Sequence, residues 1–191
     1  MRRIGFFGGT FNPIHLGHLT IAEIVLGALK LDEIIFIPTF LPPHKIDREL
    51  ISAEHRLNMV KFAIKDNPRF KVSDFEIKQK GKSYTIHTAR YFKKVSLSEA
   101  KLFFIVGGDS YKNLKQWKSI DELVKIFTFV AVNRPRYGYK KNNHGCVFVD
   151  VPGIDISSSY IRQRIKEKKS VRYYVPDKAL SYIKKHKLYL K

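Results

Sequence analysis

Two histidines three residues apart, His15 and His18, follow a pair of glycines, Gly8 and Gly9, with Thr10, Phe11, Asn12 and Pro13 in between. On a helix that spacing puts both rings on one face. Two glycines directly after an apolar strand let the backbone come close to a ligand. A helix start offers unpaired amides and the positive end of its dipole to a phosphate. Gly17, between the histidines, leaves room for a flat ring or a sugar to lie against the helix. The same residues would also suit a glycine-rich turn with two surface histidines.

A second segment, ISSSYIR from Ile156 to Arg162, has the same kind of chemistry. Ser157 and Ser158 suit a helix N-cap, and their hydroxyls and nearby amides can hold phosphate oxygens. Arg162, one turn further on, can bring a forked pair of donors to the same anion. Taken alone, this segment also reads as a serine-capped surface helix. Neither segment supplies an obvious general base. That suits a nucleophile needing none, such as a phosphate monoester, whose second pKa of about 6 leaves it largely ionised at neutral pH.

These residues need elements to position them, and the apolar pattern provides a regular alternation. Strands are predicted at Arg3 to Phe7, Glu33 to Pro38, Phe70 to Ile77, Leu102 to Val106, Thr128 to Val132 and Val147 to Val151. Helices are predicted at His15 to Leu29, Ser52 to Ile64 with Ser52 as cap, Thr85 to Lys93, Ser158 to Lys168 and Asp177 to His186, with helical turns before Ile126. Strands separated by helices imply βαβ units, hence an α/β fold with a parallel sheet covered on both faces and ligands at the carboxyl ends of its strands. The Lys-, Asn- and Gly-rich stretch from Tyr137 to Gly145 is the expected surface loop.

Length and composition narrow the class. A chain of 191 residues fits a single domain able to bury its own core. One cysteine, Cys146, excludes an intrachain disulfide and points to a reducing compartment. No apolar run approaches the roughly 18 residues that span a bilayer, and the start lacks a signal-peptide pattern, so a soluble, cytoplasmic protein is expected. The 36 Lys and Arg against 17 Asp and Glu give a formal charge of +19. These charges are scattered along the chain with a modest excess after Lys166. That favours attraction of phosphorylated substrates, with solubility or heat tolerance as a further reason, over a nucleic-acid surface. Oligomeric state is left open.

Together the two segments resemble the paired signatures of the HxGH nucleotidyltransferases, a superfamily with a Rossmann-like, doubly wound fold. More narrowly, the chain resembles bacterial nicotinate-nucleotide adenylyltransferases, through PTFLPPHK (Pro38 to Lys45), GKSYTIHTA (Gly81 to Ala89), VGGDSYKNLKQW (Val106 to Trp117) and NRP (Asn133 to Pro135). One departure is Ser159, where that family usually has threonine; the hydroxyl is kept.

The resemblance covers residues 1–191 as one nucleotidyltransferase domain, with the second phosphate motif in the helical part from about residue 157. It implies transfer of AMP from ATP to nicotinic acid mononucleotide, with Mg²⁺ arriving on ATP and no metal cage in the protein. It implies catalytic roles for His15, His18 and Arg162. ATP would be held by Gly8, Gly9, Thr10, Phe11, His15, Gly17, His18, Lys45, Gly107, Asp109, Ser157, Ser158 and Arg162. The acceptor would be held by Tyr84, Thr85, Trp117 and Arg134. Each has a plainer alternative: Trp117 as a half-buried core residue, Asp109 as a helix cap, Lys45 as a solvated lysine. A related transferase for nicotinamide mononucleotide or phosphopantetheine, or a basic nucleic-acid-binding protein, is the competing function.

Overall fold

The computed structural model describes residues 1–43, 49–95, 99–133, 145–152 and 155–190. Six strands, β1 (Arg3–Gly9), β2 (Glu33–Pro38), β3 (Phe70–Val72), β4 (Lys101–Val106), β5 (Thr128–Asn133) and β6 (Val147–Asp150), form one sheet in the order β3-β2-β1-β4-β5-β6. Every pairing is parallel. The helices are α1 (Leu16–Ala28), α2 (Ala53–Ala63), α3 (Phe75–Gln79), α4 (Thr85–Lys94), α5 (Gly108–Lys112), α6 (Ile120–Ile126), α7 (Ser158–Lys166) and α8 (Asp177–Lys185).

Alternation along each strand feeds two cores. In β4, Phe103 and Ile105 face a cluster that includes Val25 and Leu26 of α1, Val60 of α2, Ile161 of α7 and Leu180 of α8. Leu102, Phe104 and Val106 face the other side, where Ile86 and Ala89 of α4 and Leu123 of α6 cover the sheet. This is the doubly wound, single-domain α/β arrangement expected for βαβ units. Among the described residues no helix is long and apolar enough to cross a membrane.

Most predicted elements form where the apolar pattern puts them. Ser52 caps α2 as expected, its hydroxyl accepting the His55 amide at 3.2 Å. One prediction is corrected: the strand expected at Phe70 to Ile77 stops at Val72, and α3 begins at Phe75. The Ser73 hydroxyl accepts the Phe75 amide at 3.2 Å, the Lys78 amide bonds the Asp74 carbonyl, and Lys78 pairs with Asp74 one turn away. These local bonds favour a helical turn over extension of the sheet edge. The loop expected at Tyr137 to Gly145 lies outside the described residues as far as 144.

Order in the sheet matters for function. The connection from β1 leads to β2 on one side, while β4 pairs on the other, so the strand order reverses beside β1. The segment carrying both histidines leaves the carboxyl end of β1. PTFLPP leaves β2, Gly107 follows β4, and Asn133 ends β5. Ser83 is brought to the same end, its amide bonding the Leu41 carbonyl and its hydroxyl accepting the Phe40 amide at 2.8 Å.

A fully buried arginine braces this end. Arg56 of α2 donates to the carbonyls of Thr10 (2.8 Å), Thr39 (2.6 Å), Phe40 (2.8 Å) and Ile51 (3.2 Å), and is 0% exposed. It shares the inward stripe of α2 with Met59 and Val60, which is the sequence signal that could have marked it. Replacing it leaves buried carbonyls unsatisfied. Arg56→Met is expected to destabilise the fold by about 3 kcal/mol or more, measured by urea unfolding; a loss below about 1 kcal/mol would contradict the brace.

Candidate active site

The first motif is built around the start of α1. His15 is the N-cap, just outside the helix rather than within it, and is 2% exposed. Half-buried His18 lies three residues on, and the two rings sit 3.7 Å apart between centroids. The Nδ1 atom of His18 accepts the His15 amide at 3.2 Å. A ring accepting at Nδ1 carries its proton on Nε2, so Nε2 is the donor His18 can offer to an anion.

Phe11 fixes that ring. Its backbone is left-handed, φ 48°, a conformation costing a non-glycine residue about 1 kcal/mol or more. The compensation is packing: the Phe11 ring meets His18 edge-on at 5.1 Å and Phe7 at 5.8 Å, and Phe11 is buried. Any contact of Phe11 with phosphate therefore falls to its backbone. Thr10 likewise gives its carbonyl to Arg56. Gly8 and Gly9, read from the sequence as places for close ligand approach, are required by aromatic packing. A Cβ on Gly8 would meet Phe104 at 2.9 Å, and one on Gly9 would meet Phe11 at 2.9 Å. Gly17 is buried in the first turn of α1.

The second motif comes to the same place. Ser157 caps α7, its hydroxyl accepting the Tyr160 amide at 3.1 Å. The Ser158 hydroxyl donates to the Pro13 carbonyl at 2.8 Å, and Nη1 of Arg162 donates to the Asn12 carbonyl at 2.9 Å. Residues some 150 positions apart are thus joined through adjacent carbonyls of the first motif. Arg162 is only 7% exposed; its Nε donates to Glu49 at 2.9 Å and its Nη2 to the Ser159 hydroxyl at 3.4 Å. The Leu16 amide, at the start of α1, bonds the Tyr174 carbonyl in the α7–α8 connection.

Asn12 is the junction that sequence reading left without a role. Besides its carbonyl, its side-chain amide donates to the Glu49 carbonyl at 3.1 Å, and its Oδ1 accepts the Tyr189 hydroxyl at 2.9 Å. Glu49 and Tyr189 carry no local pattern that would have revealed this.

The remaining candidates gather around α4 and β4. Tyr84 is the N-cap of α4 and Thr85 its first residue. The Lys118 ammonium, next in sequence to Trp117, lies 4.7 Å from the Tyr84 ring centroid, so these residues share one surface. Half-buried Trp117 packs edge-on against Phe104 and Phe129 at 5.9 and 6.0 Å. Gly107 is the N-cap of α5, and a Cβ there would meet nothing within 4 Å, so the space beside it is open. Asp109 lies inside α5 rather than capping it, and its side chain is not among those described. Lys45 and Arg134 lie outside the described residues. No group of three or more His, Cys, Asp or Glu suited to hold a metal occurs among the described residues.

Residues 6–164 match the model of the cytidylyltransferase-like family. The chain belongs to that family. Among its relatives, a protein of Oceanobacillus iheyensis named "Probable nicotinate-nucleotide adenylyltransferase" is 46% identical over 189 residues, covering 99% of this chain and 97% of the relative. The Bacillus subtilis protein named nicotinate-nucleotide adenylyltransferase is 41% identical, covering 99% of both chains. A solved Plasmodium falciparum nicotinic acid mononucleotide adenylyltransferase, complexed with NaAD, has a TM-score of 0.83 at 20% identity over 99% of this chain and 98% of its own. That likeness shows that the two chains share one fold over almost their full length.

Beside the acceptor candidates, a cleft of about 190 Å³ is lined by Glu76, Ser83, Tyr84, His87 and Thr88, none of them from the two phosphate motifs. Glu76 accepts the Thr88 hydroxyl at 2.6 Å. Burial pushes its carboxyl above the ordinary 4.5, against the opposing pull of the Thr88 and Ser83 hydroxyls. The folded protein therefore holds this proton more tightly than the unfolded chain. The associated stability is present below the ordinary carboxylate range and is lost as pH rises through the raised value. Glu76→Gln cannot titrate, so its melting temperature relative to the wild type is expected to climb between pH 4 and 7. A difference that stays flat over that range would contradict the raised value.

Proposed function

We propose that this chain transfers the AMP part of ATP to the phosphate of nicotinic acid mononucleotide, giving deamido-NAD and pyrophosphate. The observation that carries the reading is the meeting of the two motifs: Arg162 and Ser158 of α7 bonded to the carbonyls of Asn12 and Pro13, in the loop whose Phe11 ring packs against His18. Two helix starts, a guanidinium and a histidine with an Nε2–H donor, brought to the loop that leaves β1, suit a chain of phosphates. The names of the bacterial relatives, which align along almost all of this chain, support the choice of reaction and acceptor.

The chemistry asks little of the protein beyond placement and charge. The attacking group is a phosphate monoester, already ionised, so no base is required. Its oxygen attacks the α-phosphorus of ATP in line as the bond to pyrophosphate breaks, with no covalent enzyme intermediate. His18 donates from Nε2 to the α-phosphate as charge shifts toward the leaving group. Arg162, Ser157 and the amides that open α7 hold the phosphates, together with His15 and Lys45, while Ser158, whose proton goes to the Pro13 carbonyl, holds α7 against the first motif. Apart from the Glu49 carboxylate, which is held by Arg162, the groups gathered here are N–H and O–H donors and cations, which take phosphate oxygens rather than a divalent ion. Mg²⁺ therefore arrives on ATP and stays with its phosphates and water.

The acceptor ring stacks on Trp117, and its carboxylate meets Thr85 and the amides that open α4; Arg134 enters as an acceptor ligand through the resemblance alone. Gly107 and Asp109 border the adenosine, Gly107 by leaving space and Asp109 as a ribose ligand. A carboxylate needs such donors where a neutral amide does not, which favours nicotinate over nicotinamide.

Pyrophosphate release measured with MgATP against nicotinate mononucleotide, its amide counterpart and phosphopantetheine is expected to respond strongly to the first alone. An equal or larger response to either of the others would reassign the acceptor. His18→Ala is expected to lower kcat about a hundredfold, the scale of losing one aimed donor of roughly 3 kcal/mol, while ATP still binds. Unchanged turnover would remove His18 from the reaction.

A further inference from the structure

Helix α7 carries Ser158, Arg162 and Lys166 at intervals of four, so the three share one face. The first two touch the first motif. Lys166, a turn beyond, has no part in the reaction described above. Its ammonium nevertheless grips the same carboxylate as Arg162: Oε1 of Glu49 accepts from Lys166, and Oε2 accepts from Nε of Arg162 at 2.9 Å. Glu49 is fastened to the first motif as well, through its carbonyl and the Asn12 side chain.

A carboxylate held between two cations, a few bonds from both phosphate motifs, occupies a seat built for an oxyanion. A guanidinium forks onto an anion through two donors along one edge. Here Nε of Arg162 is taken by Glu49, and Nη2 reaches the Ser159 hydroxyl at a longer 3.4 Å. Lys166 and Arg162 hold the Glu49 carboxyl below its ordinary range, so it is charged at neutral pH. Glu49 and Lys166 are 42% and 33% exposed, so solvent screens their attraction and the carboxylate can be exchanged for a more highly charged anion.

We propose that Lys166 is a further phosphate ligand of this site and that Glu49 is its internal placeholder, an anion that holds Arg162 and Lys166 until a triphosphate takes its place. This rests on the reading of Arg162 as a phosphate ligand given above. Holding the cations in the nucleotide-free protein keeps them assembled, but it also lowers apparent affinity in proportion to the time the carboxylate is seated. After transfer, the return of Glu49 to the same donors helps pyrophosphate leave.

The test is calorimetric binding of ATP and of inorganic pyrophosphate to the full chain and three variants. Glu49→Gln keeps an acceptor for Arg162 but loses the charge, and is expected to bind both about fivefold tighter, the scale of one half-exposed ion pair, while still unfolding cooperatively at a slightly lower temperature. Lys166→Gln is expected to bind both about fivefold more weakly. Arg162→Lys keeps the charge but loses the fork, and is expected to weaken binding. Weakened binding by Arg162→Lys with no gain from Glu49→Gln, or no loss from Lys166→Gln, overturns the proposal and leaves the phosphate site standing. Undiminished binding by Arg162→Lys removes the phosphate-site reading itself, and the proposal with it.

Discussion

Everything at this site depends on how α7 is tied to the loop after β1. Arg162 and Ser158 donate to the carbonyls of Asn12 and Pro13, and these bonds join the ends of a very long stretch of chain. A buried guanidinium is costly unless its donors are satisfied, and hydrogen bonds to a charged group are worth about 1.5–3 kcal/mol each. Arg162 meets that demand with the Asn12 carbonyl, Glu49 and Ser159. The same loop is gripped from the opposite direction by Arg56, through the carbonyl of Thr10. Two buried arginines therefore fix the backbone of one loop by its acceptors.

The sheet determines where that space is. With β1 flanked by β2 and β4 and every pairing parallel, the chain turns away from β1 in opposite directions on its two sides. The crevice this creates lies at the carboxyl ends of the strands, where the helix starts also point. Packing supports chemistry directly here. The strained backbone of Phe11 puts its ring against His18, whose tautomer is then set by the amide of His15. The glycines before it make room for the rings of Phe104 and Phe11, so part of what resembles a ligand-binding sequence is a packing requirement.

Local chemistry made much of this legible in advance. The apolar run Glu33–Pro38, the Ser52 cap and the serine that opens α7 all follow from neighbours within a few residues. The turn at Ser73 and Asp74 was also local, but the apolar residues around it, Phe70, Val72, Phe75 and Ile77, resemble a strand as much as a short helix. What pattern cannot convey is partnership across the fold. Arg56 looks like one more cation until four carbonyls surround it, Tyr189 gains meaning from Asn12, and Glu49 from Asn12, Arg162 and Lys166 together. Trp117 illustrates the overlap of the two readings, since the ring that suits stacking on an acceptor is also packed on Phe104 and Phe129.

The convergence of the two motifs on one triphosphate is tested most directly by a crystal structure with a non-hydrolysable ATP analogue. Its phosphates should lie between Nε2 of His18 and the guanidinium of Arg162, at the openings of α1 and α7. Density for the triphosphate elsewhere, with neither residue in contact with it, would contradict the shared site and the reaction derived from it.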